Sequence, residues 1–86
     1  MKISAKSRYA LRLMLALAMQ EEGVNLSVKS VAEQQGISEK YLEQIIPVLV
    51  RSGLVRSVRG ARGGYHLVKS PEDYTVGLIL RTVEGS

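Results

Sequence analysis

Twice in quick succession the chain writes the same helix-start signal. An apolar residue, a serine, and a second apolar residue four positions after the serine occur as Leu26-Ser27 with Val31, and again as Ile37-Ser38 with Leu42. A serine in this position accepts a hydrogen bond from an orphan backbone N–H of the first turn, and the flanking apolar pair staples the chain across the cap. Gly36 falls between the two signals, where it can end the first helix in the left-handed conformation, and Glu39 adds a negative charge to the first turn of the second. Two short helices joined by so tight a glycine turn predict a helix-turn-helix.

In the second helix of that pair Leu42, Ile45, Ile46 and Leu49 share one face, leaving Lys40, Glu43, Gln44, Pro47 and Arg51 on the other. Pro47 removes one backbone donor and frees the Glu43 carbonyl, so a bend is expected there, and Gly53 stops the helix. Upstream, Ala10, Leu13, Met14 and Leu17 recur at helical spacing, predicting a first helix capped by Ser4 or Ser7 and running to about Gln20, with Gly23 and Asn25 breaking the pattern. Downstream, Leu54 to Arg59 and Tyr65 to Val68 read as two strands joined by a hairpin loop from Gly60 to Gly64. After turn chemistry at Ser70-Pro71-Glu72-Asp73, Thr75 can cap a last helix with Val76, Ile79, Leu80 and Val83 on its buried face, ended by Gly85. The order predicts a mainly α fold with a small β-hairpin, a winged helix-turn-helix occupying residues 1–86 as one domain. At 86 residues a second domain has no room, and a hydrophobic fraction of 45% without Phe or Trp favours an aliphatic helical core.

The inventory excludes several chemistries. Without cysteine there is no disulfide, thiolate nucleophile or Cys-ligated metal within these residues, so no cofactor is expected in them. The single histidine, His66, lies in a predicted strand, where a structural role is the better expectation, and no nucleophile, base or metal set suggests an enzyme. Phosphate loops follow a strand and open a helix, whereas the glycines of Val58-Arg-Gly-Ala-Arg-Gly-Gly-Tyr65 lie between two strands and match neither nucleotide-binding spacing. The longest apolar run, Leu13 to Met19, is far too short to span a bilayer, and the chain reads as cytoplasmic.

Charge points to a polyanion. The first twenty residues carry Lys2, Lys6, Arg8 and Arg12 without an acid, and Gln44 through Pro71 carry Arg51, Arg56, Arg59, Arg62 and Lys69, again without one. On the outward face of the third helix, Lys40 can reach guanine acceptors, Gln44 can pair with adenine and Glu43 can accept from cytosine. A solvated helical pair accounts for Lys40 and Glu43 as well. Glycines in the loop permit close approach to a sugar-phosphate wall, while Arg59 and Arg62 can clasp phosphates or enter a minor groove. Lys2, Lys6, Ser7 and Arg8 surround the start of the first helix, where side chains and backbone N–H groups can bind phosphate. Tyr9, Tyr41, Tyr65 and Tyr74 read as core edges, Tyr41 being the one of the four best placed to touch the backbone.

The opening KISAKSRYAL, the segment ISEKYLEQIIPVLVRSGLVRSVRGARGGYHL and the closing YTVGLILRTVEG resemble, along nearly the whole chain, the DNA-binding half of the IscR, NsrR and CymR family of bacterial transcription regulators. The resemblance implies a homodimer that binds palindromic promoter DNA and represses transcription. It places Ser38, Lys40, Tyr41, Glu43 and Gln44 on the recognition helix, and Arg59 and Gly60 in the wing. Family members continue with a dimerisation helix, and several carry three cysteines there that hold an iron-sulfur cluster, so a cluster here requires a cysteine-bearing C-terminal extension. Val50 and Leu78 stand where polar residues are expected and suggest an apolar surface. The alternative from another class is a protein-interaction winged helix without sequence-specific DNA binding.

Overall fold

A computed structural model describes residues 3–85. Helix α1 (Ala5–Ala18) is followed by α2 (Val28–Gln35) and α3 (Glu39–Arg51), then by strands β1 (Val55–Val58) and β2 (Gly64–Leu67), a 3-10 turn at Pro71–Asp73, and α4 (Val76–Glu84). This is the winged helix-turn-helix order read from the sequence.

The caps are local and fall on the expected serines and threonine. Ser27 accepts from Ser30 N–H, Ser38 from Tyr41 N–H and Thr75 from Leu78 N–H. At the start of α1 it is Ser4 that caps, accepting from Ser7 N–H at 3.1 Å. Gly36 closes α2 at φ 64°, where a side chain would be strained, and the chain reverses directly into Ser38. Both stapling pairs, Leu26 with Val31 and Ile37 with Leu42, are buried in one core.

That core joins α1 residues Ala10, Leu13, Met14 and Leu17 to α3 residues Leu42, Ile45, Ile46 and Leu49, closed by Leu54, Val55, Ile79 and Val83. Each large aliphatic side chain so buried contributes roughly 1.5–3 kcal/mol. Helix α3 runs through Pro47, which lies on the exposed side of the helix and leaves the Glu43 carbonyl without its helical N–H partner. Val76, expected on the buried face of α4, is 60% exposed, since it lies in the first turn of the helix beyond the part that packs on the core. Val50 and Leu78 are half-buried against the core and not a free apolar surface. The exposed large apolar side chains include Leu15, Met19 and Val76 instead.

The hairpin pairs Val55 with Leu67, Arg56 with His66, Ser57 with Tyr65 and Val58 with Gly64. The loop is therefore shifted by one residue from the sequence reading, with Arg59 in the loop and Gly64 in β2. A further antiparallel bridge between Leu26 and Tyr65, with both backbone bonds at 2.9 Å, lays the residues before α2 against β2.

Candidate nucleic-acid interface

Helix α3 separates its two chemistries by burial. Leu42, Ile45, Ile46 and Leu49 are buried, while Lys40, Glu43, Gln44, Pro47 and Arg51 are all exposed, so the polar heads are free of the core and available to an outside partner. The helix is held by α1, α2, β1 and α4, which makes it a rigid platform for its exposed side chains. Ser38 is exposed at its N-terminus; its Oγ accepts from Tyr41 N–H at 3.1 Å and keeps its own hydroxyl proton to donate.

Tyr41 is half-buried. Its ring meets the Tyr9 ring edge to face at 4.9 Å between centroids, and the Arg12 guanidinium lies 5.7 Å from the centroid of Tyr9. Arg12 also donates to the Gln35 carbonyl at the end of α2. This cluster ties the first turn of α3 to α1 and to the close of α2.

In the wing, Arg59, Gly60 and Arg62 are exposed. The tip is closed by Gly63 N–H donating to the Gly60 carbonyl at 2.9 Å. Crowding is severe at Gly63, where a Cβ would lie 2.3 Å from the Val58 carbonyl oxygen. Arg56 is exposed on β1, so the surface from Arg51 through Arg62 presents cations in a stretch without an acid.

The start of α1 divides. Arg8 is exposed, and Lys6 is half-buried with its charge close enough to Glu84 to act on it. Ser7 is corrected as a phosphate contact. It is fully buried, its N–H is taken by Ser4, and its Oγ donates to Glu84 Oε2 at 2.5 Å. Ser4 Oγ donates to the same oxygen at 2.8 Å. These hydroxyls, Ser7 first and then Ser4, hold the Glu84 carboxyl below its ordinary pKa, against a smaller opposing effect of desolvation. Lys2 lies outside the described residues. Sequence reasoning missed Glu84 and Asn25, whose partners are distant in the chain and leave no local signal.

The profile of a family described as Rrf2, iron-dependent transcriptional regulator, matches residues 3–86. The transcriptional regulator CymR of Bacillus subtilis is 47% identical over 85 residues, covering 99% of this chain and 62% of that protein. IscR of Aliivibrio salmonicida is 41% identical over 86 residues, covering 100% of this chain and 51% of that protein. Among solved structures, the B. subtilis CymR, titled the global cysteine regulator, superposes with a TM-score of 0.95 at 45% identity, over 100% of this chain and 67% of its own. The IscR of T. potens superposes at 0.92 with 50% identity, over 99% and 62%. The chain thus spans roughly half to three-fifths of these curated relatives.

Iron does not fit the donor set in hand. The sequence has no cysteine, and among the described residues no group of three His, Cys, Asp or Glu can hold a metal. No helix among the described residues is long and apolar enough to cross a membrane. With the family profile matched from residue 3 to 86 and the winged helix-turn-helix of CymR and IscR reproduced, the chain belongs to the Rrf2 family of transcriptional regulators.

Proposed function

We propose that residues 1–86 are the DNA-binding domain of a transcription regulator, a repressor that acts as a homodimer on a palindromic promoter site. Helix α3 enters the major groove with Lys40, Glu43 and Gln44 toward base edges, and the wing places Arg59 and Gly60 at the adjacent minor groove. Ser38, Tyr41, Lys6, Arg8 and Arg62 serve as backbone contacts that set register without reading sequence. The observation that carries the reading is the division of α3, whose face of Leu42, Ile45, Ile46 and Leu49 is sealed in the core while Lys40, Glu43, Gln44 and Arg51 are exposed beside an acid-free basic wing. An exposed apolar groove of about 320 Å³ between α1 and α4, including Leu15 and Val76, supports a protein partner such as a second copy. Any iron or cluster would take its ligands from a cysteine-bearing extension, and no enzymatic step is proposed.

The test is base preference. Duplexes are selected from a random library by the wild type and by Glu43→Ala, and affinities are compared by fluorescence anisotropy. Loss of the Glu43 carboxylate should relax discrimination at one or two base pairs by roughly 1–3 kcal/mol each while leaving the remaining positions unchanged. Identical preferences in both proteins exclude direct readout by Glu43.

A further inference from the structure

Asn25 lies just before the Ser27 cap, in the connection between α1 and α2, and its side chain is used at both ends. Nδ2 donates to the Arg62 carbonyl at 3.1 Å, and Oδ1 lies 2.7 Å from Nδ1 of His66. A carbonyl only accepts, so the first bond fixes the orientation of the amide. Oδ1 must then accept from His66, and the neutral ring carries its proton on Nδ1, leaving Nε2 unprotonated. The imidazolium donates from Nδ1 as well, so the bond persists in either charge state.

The next residue strengthens the attachment. Leu26 exchanges two backbone bonds with Tyr65, each 2.9 Å. Residues 25 and 26 therefore hold the wing at Arg62, Tyr65 and His66, on both sides of Gly63 and Gly64. The fit is close: a Cβ on Gly64 would come within 2.7 Å of the Leu26 backbone.

The geometry points to Asn25 as a positioning residue for DNA binding, which locks the wing through the Arg62 carbonyl and the His66 ring so that Arg59 and Arg62 meet the duplex already ordered. This rests on the reading of the wing as a DNA contact. A loop held in place before binding does not have to be ordered during it, which is where the gain in affinity arises. Asn25 touches no DNA in this account.

The intact chain and its Asn25→Ala variant are compared on a duplex selected by the wild type, after circular dichroism has established that the variant folds. Nitrogen chemical shifts of His66 are read in parallel. The wild-type ring should be the Nδ1–H tautomer, and Asn25→Ala should lose that preference and bind roughly three- to ten-fold more weakly. Asn25→Asp retains an acceptor for His66 but sets an anion against the Arg62 carbonyl, so it should keep the tautomer and still bind weakly. In an Arg59→Ala, Arg62→Ala background the Asn25→Ala change should have no further effect on affinity. Wild-type affinity in either Asn25 variant, or an undiminished effect in the arginine-free background, overturns the positioning role. If removing both arginines leaves affinity unaltered, the wing reading fails, and the role of Asn25 in DNA binding fails with it even where the tautomer is as expected.

Discussion

Replacing Gly64 by alanine tests how firmly the wing is joined to the helix-turn-helix. Gly64 has φ +143°, a conformation that side chains rarely adopt, and an added Cβ would lie 2.7 Å from the Leu26 carbonyl carbon and oxygen and 3.0 Å from Ser27 N. These are backbone atoms, which cannot swing aside as the end of a flexible side chain can. The unfavourable dihedral costs about 1–3 kcal/mol. Relieving the contact moves Leu26 away from Tyr65 and loosens two 2.9 Å backbone bonds, each worth about 0.5–1.5 kcal/mol. Together the expected loss is about 2–6 kcal/mol, a large fraction of the ~5–15 kcal/mol by which domains are stable. Urea denaturation followed by circular dichroism reads the free-energy loss, and a thermal melt should show a fall in Tm of at least about 8 °C. Gly60→Ala is the control: Gly60 also has positive φ, +107°, but no atom lies within 4 Å of its Cβ position, so it should show the dihedral cost alone. A Gly64 variant no less stable than the Gly60 variant would refute the close join of β2 to the Leu26 segment.

Two further perturbations address the core and the clasp between the chain's ends. Leu49→Ala, at a fully buried position on the inner face of α3, should cost about 2–5 kcal/mol in a urea titration, and a loss below ~1 kcal/mol would contradict its place in the core. Glu84→Gln should lower stability near neutral pH, because the hydroxyls of Ser7 and Ser4 favour the carboxylate and depress its folded-state pKa. A depressed acid contributes stability above its ordinary value of 4.5 and loses it as pH falls through the folded value, so the gap between wild type and variant should close in acid. A gap that stays constant from neutral pH into acid would remove Glu84 ionisation from the account.

What could be read from the sequence was local, and what could not was tertiary. Ser27, Ser38 and Thr75 cap as expected because a cap is settled within one helical turn. The sealed and exposed faces of α3 follow from 3.6-residue periodicity in the same way. Spacing does not distinguish Ser4 from Ser7 as the cap; the structure does, because Ser4 Oγ accepts from Ser7 N–H and Ser7 is itself buried in the first turn, with Glu84 accepting from both hydroxyls. The hairpin loop lies one residue earlier than turn chemistry predicts, with Gly64 in a strand whose next residue, Tyr65, is held by Leu26. No spacing rule announces that partner. Val76 follows the periodicity of its helix and is nonetheless exposed, since periodicity gives a face and not how far along the helix packing extends. Of the proposed interface, Lys40, Glu43, Gln44, Arg59, Gly60 and Arg62 are exposed as a DNA contact requires, whereas Ser7 is lost to the core.

The proposed reading of duplex DNA by α3 and the wing stands or falls on competition between a duplex selected from a random library and a scrambled duplex of the same composition, followed by fluorescence anisotropy over a series of salt concentrations. At least about a tenfold preference for the selected duplex is expected, with the logarithm of affinity falling linearly with the logarithm of salt and a shallower slope in Arg59→Ala. Equal affinity for both duplexes at every salt concentration would contradict it.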